Sequence, residues 1–357
     1  MNKQAKLAFI GCGGFSTSCL YPTLQNIPEI DLVAVCDLKE ELAKRNARNF
    51  GARSWYTDVE KMLATEKLDG IVVVGLPQMH YQMGKRCLDA GLPIYVEKPS
   101  ANTYAEALDL AEYAQKKGLF GMVGHMKRHS TCYRMAKTIM DKKEFGGINE
   151  IEVRFANGRY PDLKKFGWGL DKGPAHAFLI GQAVHIFDLI RFFCGDVAEI
   201  YSIFREVETT DDGGIFGFAV TVQFKSGAIG LVNVNAFHCP RFQMSEYFEA
   251  AGYECCLEVR DMMELNYHAR QKPLPEFETA GRAQIFSWKP EFTEVGASTA
   301  GGIIGYKGEM RHFARSVLGL EKPSADLFDG AKAVQIAEAI WDSSQSGKVV
   351  KLGEKKA

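Results

Sequence analysis

Two segments of the chain place reactive side chains where a buried element ends. In "IYVEKPSANT", residues 94 to 103, an apolar run stops at Glu97 and Lys98, and Pro99 fixes the exit of the chain. An ammonium there can hydrogen-bond the oxygen of a reacting alcohol or carbonyl and stabilise negative charge as it develops. In "GQAVHIFDLIRFF", Ile186, Leu189, Ile190 and Phe193 recur at helical spacing and mark a core-facing stripe. His185 stands off that stripe, on the row of Gly181 and Asp188. An imidazole with an unperturbed pKa near ~6.5 suits a general base at neutral pH. Gln182, three residues before His185, either orients the ring through its amide or points to a substrate. Taken alone, each segment also has a plain reading, as a surface Glu–Lys pair or a satisfied core histidine.

A third segment binds rather than reacts. "LAFIGCGGFSTSCL" sets Gly11, Gly13 and Ser16 in a G-x-G-x-x-[G/A] frame, with Gly14 and Phe15 inside the loop and Ser in the last place. Such a loop lets the backbone approach a pyrophosphate at a helix N-terminus. The next strand pattern, "DLVAVCD", ends at Asp37, 26 residues after Gly11, where a carboxylate accepts hydrogen bonds from an adenosine ribose and repels a 2′-phosphate. NAD is therefore the expected cofactor, and Lys39 and Arg45 keep NADP open. His125 and His129 share metal-pair spacing, but no third ligand lies near in sequence, so no metal site is expected.

These residues need elements to hold them. Up to about Gly124, "KLAFIG", "DLVAVCD", "GIVVVG", "PIYVEK" and "LFGMVG" read as strands buried on both faces, with helical patterns closed by glycine between them. That alternation predicts a doubly wound α/β nucleotide-binding domain over residues 1–124, whose ligands sit at the carboxyl ends of its strands. "GLPQMH" and "EKP" both fall at that edge, so Lys98 faces the nicotinamide end, and Glu97 contacts the nicotinamide ribose or pairs with Lys98. After residue 124, helices near 130–142, 305–319 and 325–346 flank alternating strands. "GFAVTVQF" and "GAIGLVNVNAF", joined by "KSG", form an expected hairpin. Residues 125–357 are expected to form an α+β domain with a mostly antiparallel open sheet. The loop "GRYPDLKKFGWGLDKGPAH" offers Tyr160, Trp168 and His176 to a sugar, or is an ordinary surface loop.

Composition narrows the partners. The 357 residues are 46% apolar and 24% charged, with a formal net charge of -1. No basic block speaks for nucleic acid, and the longest uninterrupted apolar run is too short for a bilayer. Nine cysteines without CxxC spacing read as reduced thiols of a cytoplasmic protein.

The segments "GCGGFS", "GLPQMHYQMGKRCLDAGLPIYVEKPSANT", "GHMKRHSTCYRMA", "AVHIFDLIRFF" and "GYKGEMRHFARSV", in this order, resemble the Gfo/Idh/MocA oxidoreductases over nearly the whole chain. The resemblance implies a Rossmann domain and reversible NAD(P)-dependent oxidation of a secondary hydroxyl on a sugar or cyclitol. It makes Lys98 the catalytic lysine, His185 the base, and His80, with Leu76 and Pro77, the cofactor-side element. Lys127 and Arg128 fall where the family places residues near cofactor and substrate, or form a solvated basic turn. Many relatives carry Asp one turn before the histidine, and this chain has Gly181. The resemblance also implies that residues 125–357 serve substrate binding and oligomerisation, the open sheet face pairing subunits in a homodimer or homotetramer. Two other functions within the family are an NAD-dependent glycosidase using transient oxidation and a non-catalytic sugar sensor.

Overall fold

A computed structural model describes residues 3–157, 172–207, 215–238, 243–269, 284–290 and 300–353. Strand β1 (Ala5–Ile10) enters the glycine loop, and a π-helical turn, Ser16–Leu20, runs into α1 (Tyr21–Leu24). There follow β2 (Ile30–Cys36), α2 (Glu40–Phe50), β3 (Ser54–Tyr56), α3 (Val59–Thr65), β4 (Gly70–Val73), α4 (Pro77–Asp89), β5 (Ile94–Val96), α5 (Tyr104–Lys116) and β6 (Gly121–Val123). The strands pair in parallel in the order β3-β2-β1-β4-β5-β6. All residues of β4, β5 and β6 are buried, as strands covered on both faces must be. The order reverses between β1 and β4, which opens a crevice at their carboxyl ends. The expected α/β fold is present. Sequence reading missed the short edge strand β3, whose three residues carry no apolar run.

A 3₁₀ turn, Met126–His129, leads into α6 (Thr131–Met140), capped by Ser130, whose hydroxyl accepts from the Tyr133 N–H at 3.3 Å. Next come β7 (Glu150–Asn157) and one helical stretch made of α7 (Pro174–Phe178), a π turn (Leu179–Ala183) and α8 (Val184–Cys194). Then follow β8 (Val197–Val207), β9 (Ile215–Phe224), β10 (Ile229–Asn235), β11 (Met244–Ala251), β12 (Cys256–Arg260), β13 (Glu264–Ala269) and β14 (Gln284–Trp288). Helices α9 (Ala300–Ile303), α10 (Tyr306–Val317) and α11 (Leu327–Ser346), then β15 (Val350–Lys351), complete the described chain.

The second sheet runs β14-β13-β12-β11-β7-β10-β9-β8-β15 and is antiparallel except where β10 lies parallel to β7. The β9–β10 hairpin turns at Gly227, whose φ is +91°, a conformation that favours glycine. Residues alternate buried and exposed along β7, β9 and β10, so one face meets the helices and the other is open.

Two features differ from the sequence expectation. Helix α10 packs chiefly on the first sheet. Its Met310, Phe313 and Ala314 share a core with Leu7, Phe9 and Tyr95, and the Phe313 and Tyr95 ring centroids are 5.9 Å apart. A cut between residues 124 and 125 therefore separates the sheets but strands this helix on the wrong side. Second, Pro174–Cys194 is long and apolar enough to cross a membrane, which the interrupting Gly181, Gln182, His185 and Asp188 concealed. In the fold it is a mostly buried core helix.

Candidate active site

The glycine loop is shaped by what a side chain would hit. A Cβ on Gly11, whose φ is +110°, would lie 1.9 Å from the Val74 carbonyl oxygen, so β1 and the exit of β4 can meet only over glycine. A Cβ on Gly13 or Gly14 would meet nothing within 4 Å. That open, side-chain-free backbone beside a helical turn fits a dinucleotide pyrophosphate. Ser16 donates its hydroxyl to the carbonyls of Gly11 and Gly13, at 3.0 and 3.1 Å. The serine thus closes the loop. Phe15, partly exposed, meets Tyr306 of α10 edge-on at 5.7 Å.

Asp37 sits at the end of β2, where its carboxylate accepts from the Cys12 N–H at 2.8 Å and the Lys39 N–H at 2.9 Å. Arg45 reaches the same loop, donating to the Cys12 carbonyl at 3.4 Å and the Thr17 hydroxyl at 3.3 Å.

His80 corrects one expectation. Its Nε2 accepts from the Gly75 N–H at 3.0 Å, so Nδ1 carries the hydrogen and donates to the Pro99 carbonyl at 2.7 Å. Burial pushes its pKa down to about 4 and keeps the ring neutral. Both nitrogens are committed inside the protein. His80 therefore ties the β4 and β5 exits together and has no ring nitrogen left for a cofactor, while Leu76 and Pro77 begin α4 at the crevice.

At the end of β5, Lys98 Nζ donates to the Gly181 main-chain carbonyl at 2.9 Å. Glu97 is turned inward: it accepts from the Tyr95 hydroxyl and from the Lys98 N–H, each at 3.0 Å. Burial raises the Glu97 carboxyl pKa, and a Cβ on Gly124 would lie 2.6 Å from its Oε1. Of the two roles expected for Glu97, the geometry favours support of Lys98 over contact with a ribose. Burial lowers the Lys98 pKa below the usual lysine value, which makes its ammonium a readier proton donor.

The Gly181 carbonyl lies in the π turn just ahead of His185. A lysine of the first sheet is thereby moored to the helix that carries the histidine. His185 is 8% exposed, its Nδ1 is buried without a hydrogen-bond partner, and its ring meets His125 edge-on at 6.2 Å. Burial, then the charges of Lys98 and Lys127, hold its pKa well below the ordinary histidine value. No hydrogen bond joins Gln182 to His185 among the described residues. The π turn widens the spiral there, so the spacing expected of an α-helix does not aim the amide at the ring.

The neighbouring charges are paired. Arg128 holds Asp188 through two bonds, Nε to Oδ2 at 2.7 Å and NH2 to Oδ1 at 2.5 Å, and donates to Asp329 at 3.0 Å. Arg128→Met should destabilise the fold by ~3–5 kcal/mol, because Asp188 would stay buried without its partner. A denaturant midpoint unchanged from the wild type would show that Asp188 does not depend on this pair. Lys127, 3% exposed, pairs with Glu246, which also accepts from Tyr133. His125 and His129 turn to different neighbours, His185 and His312, and among the described residues no cluster could hold a metal. His176 is buried in α7 against Trp341 rather than in a sugar-facing loop, while Tyr160 and Trp168 lie outside the described residues. Two buried residues escaped sequence reading. Asn157 continues the inward row of Ile151, Val153 and Phe155, so the strand alternation could have found it, and both its amide atoms lack partners. Nothing in the local sequence marks Glu309.

The sequence model described as "Oxidoreductase family, NAD-binding Rossmann fold" matches residues 5–125, and that of the GFO/IDH/MocA C-terminal domain matches residues 133–255. The chain belongs to the Gfo/Idh/MocA family. It is accordingly an NAD(P)-binding oxidoreductase. Among its relatives, scyllo-inositol 2-dehydrogenase (NAD(+)) of Bacillus subtilis is 23% identical over all of this chain and 99% of its own. The 4-carboxy-2-hydroxymuconate-6-semialdehyde dehydrogenase of a Sphingobium strain is 25% identical over 63% of this chain and 70% of its own. The fold matches an oxidoreductase from Agrobacterium radiobacter solved with NAD+, L-tartaric acid and magnesium, with TM-score 0.81, 18% identity and 98% of each chain covered.

Proposed function

We propose that this protein oxidises a secondary hydroxyl of a sugar or cyclitol, with NAD as the preferred acceptor. The observation that carries this reading is the 2.9 Å bond from Lys98 Nζ to the Gly181 carbonyl, which ties the ammonium after β5 to the helical stretch that carries the imidazole. His185 accepts the hydroxyl proton on Nε2, since Nδ1 is buried. Lys98 donates a hydrogen bond to the same oxygen as it becomes a carbonyl, then releases it. A nicotinamide cofactor held by the Gly13–Gly14 backbone and Asp37 would supply the hydride acceptor for the carbon. Asn157 lies one pleat beyond Phe155, whose ring faces Lys127 Nζ at 5.5 Å, and its unpaired amide is assigned to a substrate hydroxyl. The full-length similarity to an inositol dehydrogenase supports a polyhydroxylated substrate.

The test is a screen of polyols, aldoses, glycosides and uronates with NAD and NADP, read by the absorbance of reduced nicotinamide. Net reduction with a polyhydroxylated substrate is expected. Aglycone release without net reduction would replace the reading with a glycosidase, and retained cofactor without any turnover would replace it with a sensor.

Asp37 sets the cofactor preference. Seating a 2′-phosphate beside its carboxylate should cost ~1–3 kcal/mol, so kcat/KM with NAD should exceed that with NADP by roughly ten- to a hundredfold. Equal values would assign a phosphate site to Arg45 and Lys39 instead. The open face of the second sheet exposes Tyr201, Ile203, Ile229 and Leu231, and we assign it to a second copy of this chain in a homodimer or homotetramer.

A further inference from the structure

Behind Lys98 lies a buried acidic group that the reaction above does not use. Glu309, on the first turn and a half of α10, is 1% exposed, and neither of its carboxyl oxygens has a hydrogen-bond partner. It faces the Tyr95 hydroxyl and Glu97. The approach is enforced by the backbone. A Cβ on Gly305 would lie 2.0 Å from the Met126 carbonyl oxygen, and one on Gly308 would lie 2.9 Å from the His129 Cβ. Only glycines let α10 press this close to the 3₁₀ turn and carry Glu309 inward.

Counting donors decides the protonation. Tyr95 has one hydroxyl hydrogen, and it goes to Glu97 at 3.0 Å. Glu97 also receives the Lys98 N–H. Among the described residues, no hydrogen bond reaches either Glu309 oxygen. An ionised carboxylate buried without a hydrogen-bond donor and facing a second buried carboxylate is costly, and protonation relieves that cost. Among the described residues, the acceptors it faces are the Tyr95 oxygen and Glu97.

We propose that Glu309 is a positioning residue for Lys98: it stays an uncharged carboxylic acid and donates its own hydrogen into the Tyr95–Glu97 pair. The pocket then holds one negative charge, on Glu97, against one positive charge, on Lys98. The groups facing it are Tyr95, Glu97 and Lys98 from the β5 edge and Cys19 from the Ser16–Leu20 turn, and burial holds the Cys19 thiol protonated at neutral pH. On the 3₁₀ turn packed against α10, Lys127 is neutralised by Glu246, and burial keeps His129 neutral. Burial and the neighbouring Glu97 charge hold the Glu309 pKa well above the carboxylate range, in the same direction.

The role assigned to Lys98 rests on the dehydrogenase reading, whereas the state of Glu309 does not, and two measurements separate them. Infrared difference spectra of the wild-type protein against Glu309→Gln at pH 8 should show a carboxylic-acid C=O stretch that the variant lacks. Absence of that band would overturn the proposal whatever the enzyme oxidises. In turnover, Glu309→Gln keeps a donor for Tyr95 and should retain kcat within about threefold. Glu309→Leu removes the donor and should lower kcat about tenfold, with KM for NAD unchanged and the alkaline limb of the pH profile moved. Equal kcat and equal pH profiles in the Gln and Leu variants, with both folded by circular dichroism, would reduce Glu309 to packing. A loss as large in Gln as in Leu would mean that the group acts as an ionised carboxylate, and would also overturn the proposal.

Discussion

Lys98→Met is expected to lower turnover by ~10²–10³-fold while leaving NAD affinity nearly unchanged. The size follows from removing one preorganised donor at an oxygen that gains negative charge in the transition state. The separation from binding follows from position, because we assign the pyrophosphate to the Gly13–Gly14 backbone, whereas Lys98 Nζ rests on the Gly181 carbonyl. Turnover by absorbance and NAD affinity by calorimetry check both halves. If affinity falls in proportion to turnover, Lys98 binds cofactor and another group stabilises the oxygen.

His185→Ala should remove most activity, by ~10²–10⁴-fold, and with it one limb of the pH profile. The sign follows from the two roles. A base must be unprotonated, so activity through His185 is present above its pKa and lost as pH falls through it. Because burial and the charges of Lys98 and Lys127 depress that pKa well below 6.5, the acid limb should lie well under the free-histidine value and kcat/KM should be level across neutrality. Lys98 must be protonated to donate, so activity is lost as pH rises through a lysine pKa that burial has lowered from 10.5. Gly181→Asp should move the acid limb upward by setting a carboxylate near the imidazole. An acid limb that persists unchanged in His185→Ala would rule His185 out as the base.

The parts of the site that follow strand and loop grammar were legible in the sequence. Buried parallel strands announce themselves as unbroken apolar runs, and the glycine loop, Asp37 and Lys98 each sit where such a run ends. What stayed hidden depends on contacts between distant segments. His80 spends both nitrogens on Gly75 and Pro99, which no spacing rule reveals. Gln182 missed its expected partner because a π turn replaced an α turn, and the single residue of extra winding left no local mark. Glu309 looked like any acidic residue early in a helix until that helix proved to pack on the first sheet.

The placement of α10 bears on how the molecule comes apart. The ribosome delivers residues 306–317 after all of the second sheet but the short strand β15, yet their Met310 and Phe313 fill the hydrophobic layer beneath β1 and β5. A nascent first domain must therefore wait, with a greasy trough uncovered, until the chain is almost finished. An excised fragment ending at residue 124 inherits that trough permanently and is a candidate for aggregation rather than an autonomous nucleotide-binding module. In the finished protein the returning helix acts as a buckle. Chain entropy alone cannot swing the two sheets apart, because parting them far enough would pull an aromatic anchor from its seat.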